Sequence, residues 1–233
     1  MSEKLKKKLT AVVLCGGKGL RLRPITNELP KPLVEINEKP ILEYIIHHLT
    51  RYSIGDIIIT TGYKSHAIEK FFEKNHNDLN VKIINSGDSD IIERIRTCES
   101  YIDGDFLLLY GDTLADVNLE ELQIYHKNHD KMATVTIIPF RSAFGLLGID
   151  SRGDIISYRE KPTLEEYLNI GFFYFDKEVI SWMRDFNTFV DFLEFLAKDN
   201  RSKGFVHSGN HLTVNTLGEL KDACSEISKF DFD

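Results

Sequence analysis

The chain has 233 residues, 42% hydrophobic and 28% charged, with a formal net charge of −7. These values fit one globular unit with a sizeable core and exclude a low-complexity chain or a broadly basic nucleic-acid binder. Three widely spaced cysteines (Cys15, Cys98, Cys224), with no C-x-x-C among them, favour a reducing, cytoplasmic setting.

The chain opens on lysines (Lys4, Lys6, Lys7, Lys8) followed by a short apolar run. That pairing imitates a secretory leader, but the run is brief and leads into glycines and cations rather than a small-residue cleavage site. The sequence therefore predicts a disordered basic tail over residues 1–8 and a single domain over 9–233. The run itself reads as a first buried strand that stops at Gly16-Gly17-Lys18-Gly19. Arg21, Arg23 and then Pro30-Lys31-Pro32 follow.

Residues 40–51 carry Ile41, Leu42, Ile45, Ile46 and Leu49 at helical spacing, and 56–61 form an apolar strand. A helix is expected over 64–74, a strand over 81–84, a turn-rich stretch over 85–90 and a helix over 91–101. A strand over 105–110 runs into Gly111-Asp112, followed by a helix over 119–129 and a strand over 133–139. From 144 to 174 the pattern is β-rich, punctuated by Gly145, Gly148, Gly153 and Gly171. Helices over 178–183 and 187–199, strands over 205–207 and 212–214, and a helix over 216–227 complete the chain. Thr216 and Glu219 stand at capping-box spacing.

Strands alternating with helices imply an α/β fold with right-handed crossovers. The expected form is Rossmann-like: a mostly parallel central sheet with helices on both faces and a β-rich lid on one side. Ligands in such sheets sit beyond the carboxyl ends of the strands, where the glycine loop and Gly111-Asp112 both fall. His126 and His129 read as a solvated pair, with no third ligand to make a metal motif. The stripe Phe186, Phe189, Phe192, Phe195 reads as core or a subunit contact. No run is long enough to span a membrane.

The loop carries the chemistry. Consecutive glycines let backbone N–H groups converge on an anion, and the nearby cations supply the charge a polyphosphate needs. It is not a Walker loop, because Val12 stands where the first glycine belongs, and not a dinucleotide fingerprint, because Leu22 holds the third glycine position.

What the stretch resembles is the signature of sugar-1-phosphate nucleotidyltransferases, G-G-x-G-[ST]-R-L-x-P followed by P-K-P, with Leu20 in the hydroxyl position. Four later segments match that family in order: Tyr110-Gly111-Asp112, Glu160-Lys161-Pro162, Asn169-x-Gly171-Phe172-Phe173 and Val214-Asn215-Thr216. The resemblance implies that Leu14, Gly16, Gly17, Gly19 and Gly111 shape the nucleotide site. Arg21 and Lys31 would act on the triphosphate, with Ser86 and Gly87 beside the base. Asp112 and Asn215 would ligate Mg²⁺. It places Gly145, Glu160, Lys161, Asn169 and Gly171 around the acceptor, with Lys161 on its phosphate. Arg21, Lys31, Asp112 and Lys161 are thus the implied catalytic set.

Within the family the chain is most similar to glucose-1-phosphate cytidylyltransferases, which implies CTP as donor. The segment 85–95 departs from their T-G-x-x-T-x-T-G-G-R-I-like run, and its paired glycines are missing. That departure also admits the CTP:phosphoglutamine cytidylyltransferases of capsule phosphoramidate synthesis, whose acceptor carries a carboxylate. Arg94 or Arg141 would supply the cation for it. A family member using GTP, UTP or dTTP, and a non-catalytic nucleotide-binding regulator, are the other readings. Regulators typically lose the loop Arg or the metal Asp, both kept here. The expected partners are CTP and a small phosphorylated acceptor, with no nucleic acid or membrane, and a homo-oligomer stays open.

Overall fold

A computed structural model of the chain describes residues 9–76 and 79–230, so the tail expected over residues 1–8 lies outside the described residues. The first half holds β1 (Thr10–Cys15), a small hairpin of β2 (Glu35–Ile36) and β3 (Lys39–Pro40), α1 (Ile41–Arg51), β4 (Asp56–Thr61) and α2 (Ser65–Asn75). It continues with β5 (Asn80–Asn85), α3 (Ile91–Arg96), β6 (Phe106–Tyr110), β7 (Thr113–Ala115) and α4 (Leu119–Lys127). The second half holds β8 (Ala133–Arg141), β9 (Leu146–Ile149), β10 (Ile155–Arg159), β11 (Thr163–Phe175) and α5 (Val179–Trp182). It closes with α6 (Phe189–Lys198), β12 (Ser202–Val206), β13 (His211–Thr213) and α7 (Leu217–Glu226).

The central sheet has seven strands in the order β12-β8-β11-β6-β1-β4-β5, and all run the same way except β11. Its middle strands are nearly continuous apolar runs because both faces are covered. Alternation then divides each run between two cores. Ala11, Val13, Ile57, Ile59, Leu107 and Leu109 join α1, α2, α4 and α7 on one face. Val12, Ile58, Phe106 and Leu108 join α3, α5 and α6 on the other. The expected doubly covered, mostly parallel sheet is therefore present, and the phenylalanine stripe of α6 is core: Phe189 and Phe192 are buried and Phe195 packs against them.

The chain order places the site. From β1 the chain moves outward through β4 to β5, then returns to the other flank of β1 as β6. Where the order reverses, the connections leaving the carboxyl ends of β1 and β6 diverge and open a crevice. The loop after β1 and Asp112, just after β6, both line it. Gly111 N donates to Leu14 O at 3.0 Å, stitching the two strand ends together.

Some boundaries differ from the sequence expectation for identifiable reasons. The third helix ends at Arg96 rather than near 101, because Thr97 Oγ1 and Cys98 Sγ both donate to Arg94 O, at 2.7 and 3.2 Å. Cys98 N then bonds one residue early, to Ile95 O, and the helix tightens and stops. The edge strand β12 starts at Ser202, not 205. Its polar Ser-Lys-Gly start pairs in parallel with β8 although its side chains give no apolar signal. His126 is not solvated: it is 2% exposed, with Nδ1 2.8 Å from Thr134 Oγ1 and Nε2 3.2 Å from Asp176 Oδ1. The capping box of α7 forms as expected. Glu219 N donates to Thr216 Oγ1 and Thr216 N to Glu219 Oε2, each at 3.2 Å, which pins Asn215 just ahead of the helix. No helix among the described residues is long and apolar enough to cross a membrane.

Candidate active site

A cavity of about 510 Å³ opens at the crevice. One wall is the β1 end and the glycine loop (Leu14 to Leu20), the other is 88–91 with Arg94, and Lys31, Tyr110 and Asp112 lie between. The loop owes its path to Gly19, whose φ of +59° is left-handed backbone. A side chain there would also strike Thr26 Cγ2 at 2.9 Å. Thr26 Oγ1 in turn donates to Gly19 O at 2.8 Å and pins the turn.

Lys31 sits in a short 3₁₀ turn between Pro30 and Pro32 and is only 8% exposed. Its ammonium donates to Asp112 Oδ2 and, at 2.7 Å, to Asn215 Oδ1. Arg21 Nη2 reaches the same Asn215 oxygen at 3.0 Å. Asn215 comes from nearly two hundred residues away in sequence, carried in by the pairing of β13 with β7 and by Val214 N donating to Asp112 O at 3.1 Å. Four residues singled out from three separate motifs thus form one contact cluster of two cations and two oxygen donors.

The cavity lining holds no hydrogen-bonded nucleophile–base pair. Burial and the charge of Asp112 push the Cys15 thiol well above the usual range, so it stays protonated. Burial pushes the Tyr110 phenol up to about 12, which keeps it neutral. What the arrangement offers is convergent positive charge and backbone donors, the requirements of phosphate-group transfer.

Arg94 is placed differently from a substrate clamp. Its guanidinium is held in a junction, with the residue 5% exposed, and donates to Thr61 O, Ser86 Oγ and Gly87 O, each at 2.9 Å, and to Gly16 O at 3.4 Å. Those bonds commit the fork that a carboxylate would need. Ser86 is part of the same junction, its hydroxyl donating to Thr61 O at 3.1 Å.

Of the residues expected around the acceptor, only Arg94 lines the cavity. Glu160 accepts a hydrogen bond from Tyr158, and Gly145 packs against that pair, where a side chain would meet Tyr158 Oη at 2.6 Å. Lys161 is exposed, and its carbonyl accepts from Arg141 Nε at 3.4 Å. Asn169 Oδ1 holds Gly171 N at 2.8 Å, and Gly171 lies flat on the Tyr110 ring, leaving no room for a Cβ. The expected β-rich segment is present as β9, β10 and β11, and none of its residues lines this cavity.

Sequence reasoning missed part of the second wall: Asp88, Ser89, Asp90 and Ile91. Asp88 pairs with Lys18 across the cavity mouth, and Asp90 caps α3 by accepting from Ile92 N at 3.0 Å. The Asp90-x-x-Glu93 spacing carries a capping signal that would have located this helix start.

The fold and cavity define an α/β protein with a glycine loop and a cluster of Arg21, Lys31, Asp112 and Asn215 at the switch point of its sheet. The chain belongs to the nucleotidyl transferase family, matching it over residues 10–220, and is a nucleotidyltransferase. It is 33% identical over 237 residues to the glucose-1-phosphate cytidylyltransferase of Salmonella typhi, covering 90% of this chain and 92% of that one. A Bacillus subtilis relative with the same enzyme in its name is 34% identical over 238 residues, covering 91% of this chain and 93% of its own. Among solved structures, HddC from Yersinia pseudotuberculosis superposes with a TM-score of 0.72 at 24% identity, over 94% of this chain and 99% of that one. The last likeness shows the fold.

Proposed function

We propose that this nucleotidyltransferase moves CMP from CTP to the phosphate of a small acceptor, glucose 1-phosphate, with release of pyrophosphate. The observation that carries the reading is the convergence of Lys31 and Arg21 on Asp112 and Asn215 beneath the glycine loop. The relatives that match nine-tenths of the chain supply the choice of CTP and of a sugar phosphate.

An oxygen of the acceptor phosphate forms a bond to the α-phosphorus of CTP. The bond from that phosphorus to the bridging oxygen breaks, and its electron pair leaves with pyrophosphate. The attacking oxygen is already anionic, so no general base or covalent nucleophile is required. Catalysis then rests on positioning and charge neutralisation. The loop N–H groups and Arg21 hold the β- and γ-phosphates, Lys31 meets the α-phosphate, and Lys161 holds the incoming phosphate.

Asp112 and Asn215 suit Mg²⁺, a hard cation that takes one or two protein oxygens and fills its other positions with water and substrate phosphate. Lys31 Nζ is seated between these two oxygens, and a cationic group at that point supports the reading. When bound there, Mg²⁺ would neutralise charge on the triphosphate oxygens. No group of three or more acidic, His or Cys side chains gathers among the described residues, so the site leans on the substrate for its remaining ligands.

The separation of the two residue groups makes one prediction. Lys161→Ala raises the KM for the acceptor more than the KM for CTP, which steady-state kinetics with each substrate varied will show. Equal effects on both would mean that the two phosphates do not have separate sites.

A second acceptor, L-glutamine phosphate, is favoured by one observation: the exposed Arg141 side chain lies against the Lys161 backbone, where its guanidinium would meet a carboxylate on a phosphorylated amino acid. Pyrophosphate release with CTP and each acceptor in turn decides between them. A site built to hydrogen-bond sugar hydroxyls rejects a substrate lacking them by on the order of 10⁴-fold. Strong preference for glucose 1-phosphate supports the first reading, and strong preference for the amino-acid phosphate replaces it with the second. CTP binding without turnover of either would point to a regulator.

A further inference from the structure

Two glycines of this chain have no backbone reason to be glycine. Gly16 and Gly62 do not adopt positive φ, yet both lie where the ends of β1 and β4 meet the loop after β5. A Cβ on Gly16 would fall 1.8 Å from Arg94 Nη1, and one on Gly62 would fall 2.3 Å from Gly87 O and 3.1 Å from Arg94 Nη1. At Gly16 that space is filled by the guanidinium, and at Gly62 by the Gly87 carbonyl that the guanidinium holds. Arg94 arises from α3, on the far wall of the cavity, and ties Gly16 O, Thr61 O, Gly87 O and Ser86 Oγ into a single knot. Three of these are carbonyls at or just beyond the carboxyl ends of β1, β4 and β5. Thr61 O also accepts from Ser86 N at 3.0 Å and Gly16 O from Tyr63 N at 3.4 Å, and the guanidinium is what joins both to Gly87 O.

We infer that Arg94 is a positioning residue that fixes the distance between the two walls of the nucleotide cavity. Gly16 opens the glycine loop, which faces the phosphates, and Gly87 leads into the Asp88–Ile91 wall. The guanidinium is the strut between them. Its rigid fork spans both walls at once, which the single ammonium of a lysine does not. The effect falls on the nucleoside triphosphate and not on the acceptor, because none of the knot's partners belongs to the Gly145–Glu160–Lys161 group. This inference rests on the proposed reading of the cavity as the CTP site.

The experiment uses the whole protein and the variants Arg94→Ala, Arg94→Lys, Gly16→Ala and the double variant. Calorimetric titration of CTP into the unaltered protein comes first, because absence of binding sinks the CTP reading and this inference together. With binding established, KM for CTP and KM for the acceptor are each measured with the other substrate saturating. Arg94→Ala is expected to raise the CTP KM about tenfold or more, since the one side chain that bonds Gly16 O on one wall and Gly87 O on the other is removed. The acceptor KM should stay within about twofold, as expected for a group with no shared partners. Millimolar guanidinium ion, refilling the space, should lower the raised CTP KM. Gly16→Ala, which pushes the fork aside, should show the same CTP defect, and the double variant should be no worse than Arg94→Ala alone. An unchanged CTP KM in Arg94→Ala overturns the inference, as does an equal rise in both constants that guanidinium does not relieve. Should Arg94→Ala fail to fold, Arg94→Lys decides: a raised CTP KM with a normal acceptor KM supports the strut, and a normal CTP KM overturns it.

Discussion

Replacing Lys31 by methionine is expected to lower kcat by on the order of 10²–10³-fold at saturating CTP and acceptor, the loss typical of one preorganised donor aimed at developing charge. The expectation comes from how the residue is held. Pro30 and Pro32 fix the backbone on either side, the side chain is 8% exposed, and its ammonium is already delivered to Asp112 and Asn215. The buried stem leaves little freedom to lose as the ammonium passes from these oxygens, which Mg²⁺ would take over, to an arriving phosphate, so most of the interaction is expressed as charge builds on the α-phosphate oxygens. Methionine keeps most of the unbranched apolar stem and removes the charge together with its N–H donors. The test is kcat and KM from steady-state kinetics, with Tm recorded for both proteins. A rise in the CTP KM with kcat unchanged would show that Lys31 binds ground state and transition state alike.

Asp112→Asn is expected to reduce turnover by roughly a hundredfold or more, because charge stabilisation through a bound cation is worth several kcal/mol in such transfers. The substitution keeps the shape of the side chain but leaves one acceptor oxygen where two carboxylate oxygens now receive Lys31 and Thr113, so it removes the negative charge and one acceptor without opening a cavity. It would leave two neutral amide oxygens, from positions 112 and 215, facing two cations. Raising Mg²⁺ should recover part of the activity by mass action if affinity is what falls. Activity near that of the unaltered protein at saturating Mg²⁺ would remove Asp112 from the metal site and leave its role as the partner of Lys31.

The sheet was legible because its middle strands are covered on both faces and so read as unbroken apolar runs, such as Ile57-Ile58-Ile59 and Phe106-Leu107-Leu108-Leu109. The edge strand β12 was displaced in the sequence reading because Ser202, Lys203 and Gly204 need only one partner and carry no such run. His126 was misread for a related reason. A single polar residue on an amphipathic helix looks solvated, and only the fold supplies Thr134 and Asp176 to receive it. The cation–oxygen cluster could be assembled by matching motifs, yet no periodicity joins Asn215 to Arg21 across 194 positions. Arg94 marks the limit of such reading. An arginine near a ligand pocket is a clamp when its fork faces solvent and a strut when carbonyls surround it, and those carbonyls belong to residues 16, 61 and 87.

The central claim is that the α-phosphorus of CTP is the centre attacked, and label transfer tests it most directly. The unaltered enzyme is incubated with Mg²⁺, glucose 1-phosphate or L-glutamine phosphate, and CTP labelled either at the α- or at the γ-phosphate. The account predicts that α-label appears in a cytidylylated acceptor and γ-label in pyrophosphate. Label from the γ-phosphate in the acceptor, or α-label retained in CDP, would place the attack elsewhere on the triphosphate and contradict the account.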